Sequence, residues 1–190
     1  MNPKTLHKIS YGLYIVSSKN GDKINGQIAN TVFQTTSEPP TLAVSIFKGN
    51  FTHECITKSN VFAISILSQK ASMKFIGNFG FKNGRDFDKF KDVNFKLGQT
   101  AVPIVLDNSV GFIECEVANS FDVGTHTIFI GKVVNADVLN DDEPMTYDYY
   151  HKVVKGKAPK SAPTFIKDEK EEIKQDKIIM QKIGKITSIT

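Results

Sequence analysis

Between residues 41 and 47 the chain alternates, with Leu42, Val44 and Ile46 in one set and Ala43, Ser45 and Phe47 in the other. A period of two sends successive side chains to opposite faces, so this run is read as a sheet strand rather than a helix. Residues 61–67 repeat the pattern, with Phe62, Ile64 and Ile66 against Ala63 and Ser65. Small residues on one side of two such strands leave room either for a flat ligand or for a closely packed helix. Residues 12–18 read as a first strand, and Asn20-Gly21-Asp22 as the turn into a second that ends at Asn30. Residues 110–119 predict a half-exposed strand with Ile113, Cys115 and Val117 inward and Glu114 and Glu116 outward. Residues 124–138 supply another strand.

Helical spacing is scarce. It predicts short helices over 51–59 and over 71–79, the latter with Met73, Ile76 and Phe79 on one face. Residues 98–108, around Pro103, read as loop or edge structure. Residues 146–163, aromatic and then rich in lysine and proline, read as an ordered wrapping loop. The expected fold is therefore mainly β, an antiparallel barrel or sandwich of five or six strands with short helices, not a parallel α/β sheet. The division expected is one domain over 1–165 and a charged tail or linker over 166–190, where KDEKEEIKQDK offers no compact apolar face.

Composition narrows the function. A chain of 190 residues buries roughly two-thirds of its unfolded surface without needing disulfides. Cys55 and Cys115 lack CxxC spacing, and Cys115 is read as a small core residue. The N-terminus lacks the apolar run of a secretion signal, and no stretch reaches the about 18 apolar residues of a membrane span; a cytoplasmic protein is expected. Net charge is +4, with Arg85 the single arginine among 24 basic residues. Lysines spread among acids, without clustered arginines, argue against nucleic-acid binding.

Most of the candidate chemistry lies in GQIANTVFQTTSEPPTLAVSIFKGNFT, residues 26–52. Small and amide residues at its start let a ligand approach the backbone. At its end, Lys48, Gly49, Asn50 and Thr52 place a cation, a permissive turn, an amide and a hydroxyl at a helix start, a combination suited to an anion. Metal and nucleotide motifs fail. His53-Glu54 begins HExxH but Thr57 stands at the fifth position, and neither GxGxxG nor a Walker loop occurs. Arg85, in FKNGRDFDKF, is open to a role at the ligand or to a surface pair with Asp86 or Asp88.

INGQIANTVFQTT, PPTLAVSIFKGNFTHECI, FGFKNGRDFDKF, GTHTIFIGKV and MTYDYYHKVVKGKAPKSAPTF occur in that order. With them the chain resembles the flavin reductase-like, FMN-binding split-barrel family. The likeness is to its flavoredoxin and ferric reductase branch, including the flavin domain of high-molecular-weight rubredoxin-type proteins. The resemblance implies a Greek-key split β-barrel, FMN as cofactor and a homodimer. It implies hydride transfer from NAD(P)H to flavin N5, with electrons passed to free flavin, ferric iron or a redox protein. The alternative is an electron carrier that serves protein partners only.

By the same resemblance, Thr31, Lys48, Asn50 and Thr52 are assigned to the FMN phosphate together with Phe51 between them. Ser45, Ile46 and Phe47 are assigned to the ring, and Ala29 and Asn30 to its edge. His126 is expected near flavin and nicotinamide, with Tyr147, Tyr150 and His151 on the rim. Some relatives carry a rubredoxin module, which needs paired cysteines; no cysteine follows Cys115, so none is expected in this chain.

Overall fold

The structure, a computed structural model, describes residues 2–165; the tail expected over 166–190 lies outside the described residues. A short 3-10 helix, Pro3–Lys8, leads into β1 (Tyr14–Asn20) and β2 (Lys23–Ala29), then β3 (Val32–Ser37) and β4 (Pro40–Phe47). Helix α1 (Phe51–Ser59) is followed by β5 (Val61–Leu67), α2 (Met73–Gly80), β6 (Phe95–Leu97) and β7 (Pro103–Val105). The long strands β8 (Ser109–Asp122) and β9 (His126–Val138) precede α3 (Tyr147–Lys152).

Seven strands form one antiparallel sheet in the order β2-β1-β5-β8-β9-β4-β3. Its two outermost strands are consecutive in the chain, joined only by Asn30 and Thr31. Three backbone steps reach at most about 11 Å. The edges of a flat seven-stranded sheet would stand about 29 Å apart. The sheet must therefore roll until its edges meet at Asn30 and Thr31, the mostly β, barrel-like architecture that the alternating pattern predicts.

Adjacent residues of β1 feed two different cores. Ile15 joins Leu13, Leu67, Ile76, Phe79, Phe90 and Tyr150, whereas Val16 joins Leu42, Val44, Ile46, Phe62, Ile64 and Phe129. Asn50 and Asn60 flank helix α1, and the left-handed φ of 57° at Asn60 lets its N–H reach the Ile56 carbonyl. Ser72 caps α2 by accepting from the Phe75 N–H.

Three expectations are corrected. The described residues contain nine strands, not five or six, because β3, β6 and β7 are short or polar and carry little periodic signal. Residues 98–108, read as loop or edge structure, hold β7, a strand of the two-stranded β6–β7 sheet; it is buried, and the Val105 N–H donates to Ser65 Oγ at 3.0 Å. Ser65 and Ala63 are thus packed under β7, which settles their small size as close packing. Within 146–163 the chain makes a helical turn and more, α3, capped by Thr146. Glu114, expected outward, is fully buried. Its carboxylate accepts from the Gln99 and Thr100 N–H groups, the Thr100 hydroxyl and the Asn135 amide at 2.8–3.1 Å. A charge can face inward there because every lone pair it presents is met by a donor.

Candidate functional site

A cleft enclosing about 810 Å³, part of it open to solvent, lies between β2, the end of β4, the start of α1, the end of α2, and residues 157–163 of the wrapping segment. Alternation decides what β4 contributes. Ser45 and Phe47 line the cleft, and Ile46 between them must point to the opposite face, where it is fully buried among Val44, Ile56 and Phe129. Antiparallel register then sets His126 opposite Phe47, with ring centroids 5.4 Å apart.

Part of the cleft is built for hydrogen bonding. Asn25 and Gln27 on β2 face Thr52 and Asn50 at the start of α1. The Asn25 amide donates to Thr52 Oγ1 at 2.7 Å, and the Asn50 amide to Gln27 Oε1 at 3.0 Å. Beside them lies Lys89, only 5% exposed, whose ammonium donates to the Gly26 and Phe79 carbonyls, each at 3.0 Å. Among the described residues it has no carboxylate partner. Burial pulls its pKa down to about 8. A buried cation with a helix start beside it and no counter-charge is a place for an anion.

Aromatic side chains also line the cleft, His126, Tyr147 and Tyr150 among them. His126 donates from Nε2 to the Ser161 carbonyl at 3.1 Å, and its Nδ1 pairs with the Thr125 hydroxyl at 2.9 Å. Tyr147 and Tyr150 stack with centroids 5.9 Å apart, and burial raises both phenol pKa values. With the His126–Ser161 bond, three more tie residues 157–164 down here. Thr164 Oγ1 meets both the Asn30 amide at 2.8 Å and the Tyr147 hydroxyl at 2.9 Å, and the Tyr150 hydroxyl donates to the Lys157 carbonyl at 3.2 Å.

Residues 6–156 match the family described as flavin reductase like domain. The chain belongs to that family. It is 52% identical over 165 residues to the high molecular weight rubredoxin of Moorella thermoacetica, covering 87% of this chain and 72% of that one. It is 46% identical over 169 residues to a ferric-chelate reductase (NAD(P)H) of Archaeoglobus fulgidus, covering 89% of this chain and all, 100%, of the relative. Among solved structures, the NADH:FAD oxidoreductase SgcE6 of Streptomyces globisporus C-1027 superposes with a TM-score of 0.67 at 25% identity, over 75% of this chain and 83% of that one.

Of the residues singled out from sequence, the cleft gathers Ala29, Asn30, Ser45, Phe47, Asn50, Phe51, Thr52, His126, Tyr147 and Tyr150. Five lie elsewhere. Thr31 donates its hydroxyl to Asn30 Oδ1 at 3.1 Å, and Ile46 is in the core. Lys48 pairs with Asp122 at 2.5 Å. Arg85 pairs at 2.6 Å with Glu54, not with Asp86 or Asp88, and its guanidinium lies 5.2 Å from the Phe51 ring centroid. His151 bonds the Gly156 carbonyl at 2.8 Å and abuts Tyr147. Sequence reasoning missed Asn25 and Lys89, and read Gln27 only as one of the amide residues that let a ligand approach the backbone. The one signal for Lys89 is a lysine set between Phe87 and Phe90 in a segment otherwise read for its arginine.

Other chemistries find little to work with. The described residues contain no cluster of three metal-ligating side chains. Both thiols are buried, and burial pushes Cys55 up to about 11 and Cys115 to about 12, far from a reactive thiolate. No described helix is long and apolar enough to cross a membrane.

Proposed function

We propose that this protein is an FMN-dependent oxidoreductase that takes hydride from NAD(P)H and passes the electrons to ferric iron, free flavin or a redox protein. The observation that carries the reading is the cleft's lining. A buried Lys89 with no carboxylate partner among the described residues lines it together with Asn25, Asn50 and Thr52 and with the aromatic Phe47, His126 and Tyr147. A flavin mononucleotide has groups for both, an anionic phosphate joined to a flat aromatic ring. Family membership and the 46% identity to a ferric-chelate reductase support it.

Bound flavin would supply the hydride and electron chemistry, so the chain needs no acid-base dyad. Lys89 and the start of α1 would hold the phosphate, Lys89 as a point charge and Thr52 and Asn50 as polar partners. Asn25 and Gln27 pre-orient those two side chains. Phe47 would shape the slot, with Ala29 and Asn30 where the sheet edges meet. His126 presents a ring N–H that is now satisfied by the Ser161 carbonyl and would serve a nicotinamide or acceptor once that carbonyl shifts. Residues 157–163 cover the cleft and limit water.

FMN is preferred to FAD because Thr52, Asn25 and Lys89 are all buried at the phosphate end, which suits a terminal phosphate. A homodimer is part of the proposal, supported by the open edge of β3 with Phe33 55% exposed, and so is a cytoplasmic location. The 52% identity to a high molecular weight rubredoxin favours, as a second reading, electron exchange with protein partners only.

The deciding experiment is an anaerobic visible spectrum of FMN-reconstituted, desalted protein before and after NADH and then NADPH. Retained flavin bands that bleach with a nucleotide are expected. Bands that bleach with neither favour the carrier, and a colourless protein rejects tight FMN binding.

A further inference from the structure

Residues 81–88 join α2 to Lys89 and carry Arg85, the chain's single arginine. Seven of the eight are exposed, and Gly84 alone is half-buried, where the loop touches Asn25. A Cβ on Gly84 would run into the Asn25 side-chain amide. Its φ lies outside the left-handed range, so what the position demands is space.

The next residue fastens the loop to α1. Arg85 Nη1 donates to Glu54 Oε2 at 2.6 Å, and the guanidinium stands 5.2 Å from the Phe51 ring centroid. Asn83 Oδ1 accepts from the Arg85 N–H at 3.1 Å while its amide donates to Asp86 at 3.0 Å, a side-chain turn that fixes the backbone just before Arg85. Lys82 is held by Asn78 Oδ1 at 3.1 Å and lies 3.6 Å from the Phe87 ring centroid. At the base of the loop the Asn78 amide donates to the Lys89 carbonyl at 2.7 Å. The loop thus rests on Asn25 and Phe51 and runs into Lys89, three residues that line the cleft. Those three and Thr52 are each at most 9% exposed.

We infer that residues 81–88 form a clasp, latched by Arg85 on Glu54 and seated by Gly84 on Asn25, that makes the site selective for FMN over FAD. The inference rests on the flavin reading and assigns its selectivity to particular residues outside the cleft lining. FMN ends at the phosphate that Lys89 and Thr52 would hold. FAD continues from that phosphate through a second one to adenosine, and this half has to pass the loop. FAD therefore binds only the molecules whose clasp is lifted, and its apparent affinity scales with their fraction. Lys89 by itself also favours the dianionic phosphate of FMN over the singly charged diester of FAD. The signature of the clasp is thus a preference that shrinks when the latch is released.

The test is calorimetric titration of the flavin-free full chain with riboflavin, FMN and FAD, for the unaltered protein and for Arg85→Ser, Arg85→Lys and Gly84→Ala. The unaltered protein is expected to bind FMN at least about tenfold more tightly than FAD. Arg85→Ser should narrow that ratio about fivefold, the scale of one exposed ion pair, by strengthening FAD binding. Arg85→Lys keeps a cation for Glu54 and should keep most of the ratio. Gly84→Ala pushes the loop off Asn25 and should narrow the ratio by another route, weakening FMN. Riboflavin, which has no phosphate, should bind all four proteins equally and so reports an intact ring site. FAD bound as tightly as FMN by the unaltered protein, or a ratio unchanged in Arg85→Ser, would overturn the inference while leaving the flavin reading standing. FMN bound no more tightly than riboflavin would remove the phosphate site at Lys89 and the inference with it.

Discussion

Among the described residues two charged side chains are buried, Glu114 and Lys89, and they are treated in opposite ways. Glu114 lies under the β6–β7 flap and receives four hydrogen bonds. Burial alone would raise its pKa, but the donors from Asn135, Thr100 and Gln99 outweigh burial and hold the carboxyl below its usual range. Lys89, at the cleft, gives two hydrogen bonds to backbone carbonyls and meets no carboxylate among the described residues; burial drags its pKa down to about 8. The first charge is fully met by donors of the protein itself. The second is a cation whose environment disfavours it until an anion arrives, the arrangement expected at a binding site rather than in a structural one.

The strongest way to break the structural half of this contrast is Glu114→Gln. An amide there turns an NH₂ toward groups that are themselves donors, and a loss of about 3 kcal/mol of stability is expected, with FMN affinity of the folded protein unchanged. Denaturant unfolding and FMN titration check the two parts. The same site predicts acid sensitivity. Because the folded pKa is depressed, its stabilisation is complete above the unfolded value of about 4.5 and disappears as pH falls through the folded pKa. Glu114→Gln should lose that acid dependence.

Next comes the functional half. Lys89→Met removes the buried cation, and charge-assisted contacts of this kind are worth about 2 kcal/mol, so FMN affinity should weaken roughly 30-fold. Unchanged affinity by fluorescence titration would place the phosphate elsewhere. His126→Ala should slow flavin reduction by NAD(P)H about tenfold, equivalent to about 1.4 kcal/mol, while sparing FMN affinity; stopped-flow bleaching measures the first. Equal loss of both would make His126 structural.

The smallest effect sharpens the comparison with a third cation. Lys48 shares an exposed ion pair with Asp122, the two side chains 36% and 71% exposed. Such a pair contributes about 0.2–1 kcal/mol to stability, and Lys48 does not line the cleft, so Lys48→Ala should change FMN affinity far less than Lys89→Met.

What could be read from the sequence follows from how local each signal is. Helix α1 and strand β5 lie at 51–59 and 61–67, as the sequence predicts; α1 buries Phe51, Thr52, Cys55 and Ile56, and β5 is buried on both faces. Ser45 and Phe47 reached the cleft by the same period-two logic that excluded Ile46. Lys89 was not legible. Its partners are carbonyls of Gly26 and Phe79, 63 and 10 residues away, and a carbonyl has no residue type to read. Glu114 misled for the same reason: three of its four hydrogen bonds come from a turn at residues 99 and 100 that carries no periodicity. Lys48 stood in the right segment beside the right neighbours, yet Asp122, 74 residues on, claims it.

The most direct test of the account is FMN affinity as a function of pH, for the unaltered protein and Lys89→Met side by side. FMN phosphate is already a dianion above its second pKa of about 6, so from neutral pH upward the ligand's charge is constant. If Lys89 holds the phosphate it does so as a cation, and burial pulls its pKa down to about 8 in the free protein; binding above that pH must then recover the proton. The account predicts that affinity falls as pH rises past about 8 in the unaltered protein and stays flat, and weaker, in Lys89→Met. Identical profiles for the two proteins would show that Lys89 does not hold the flavin and would contradict the central claim.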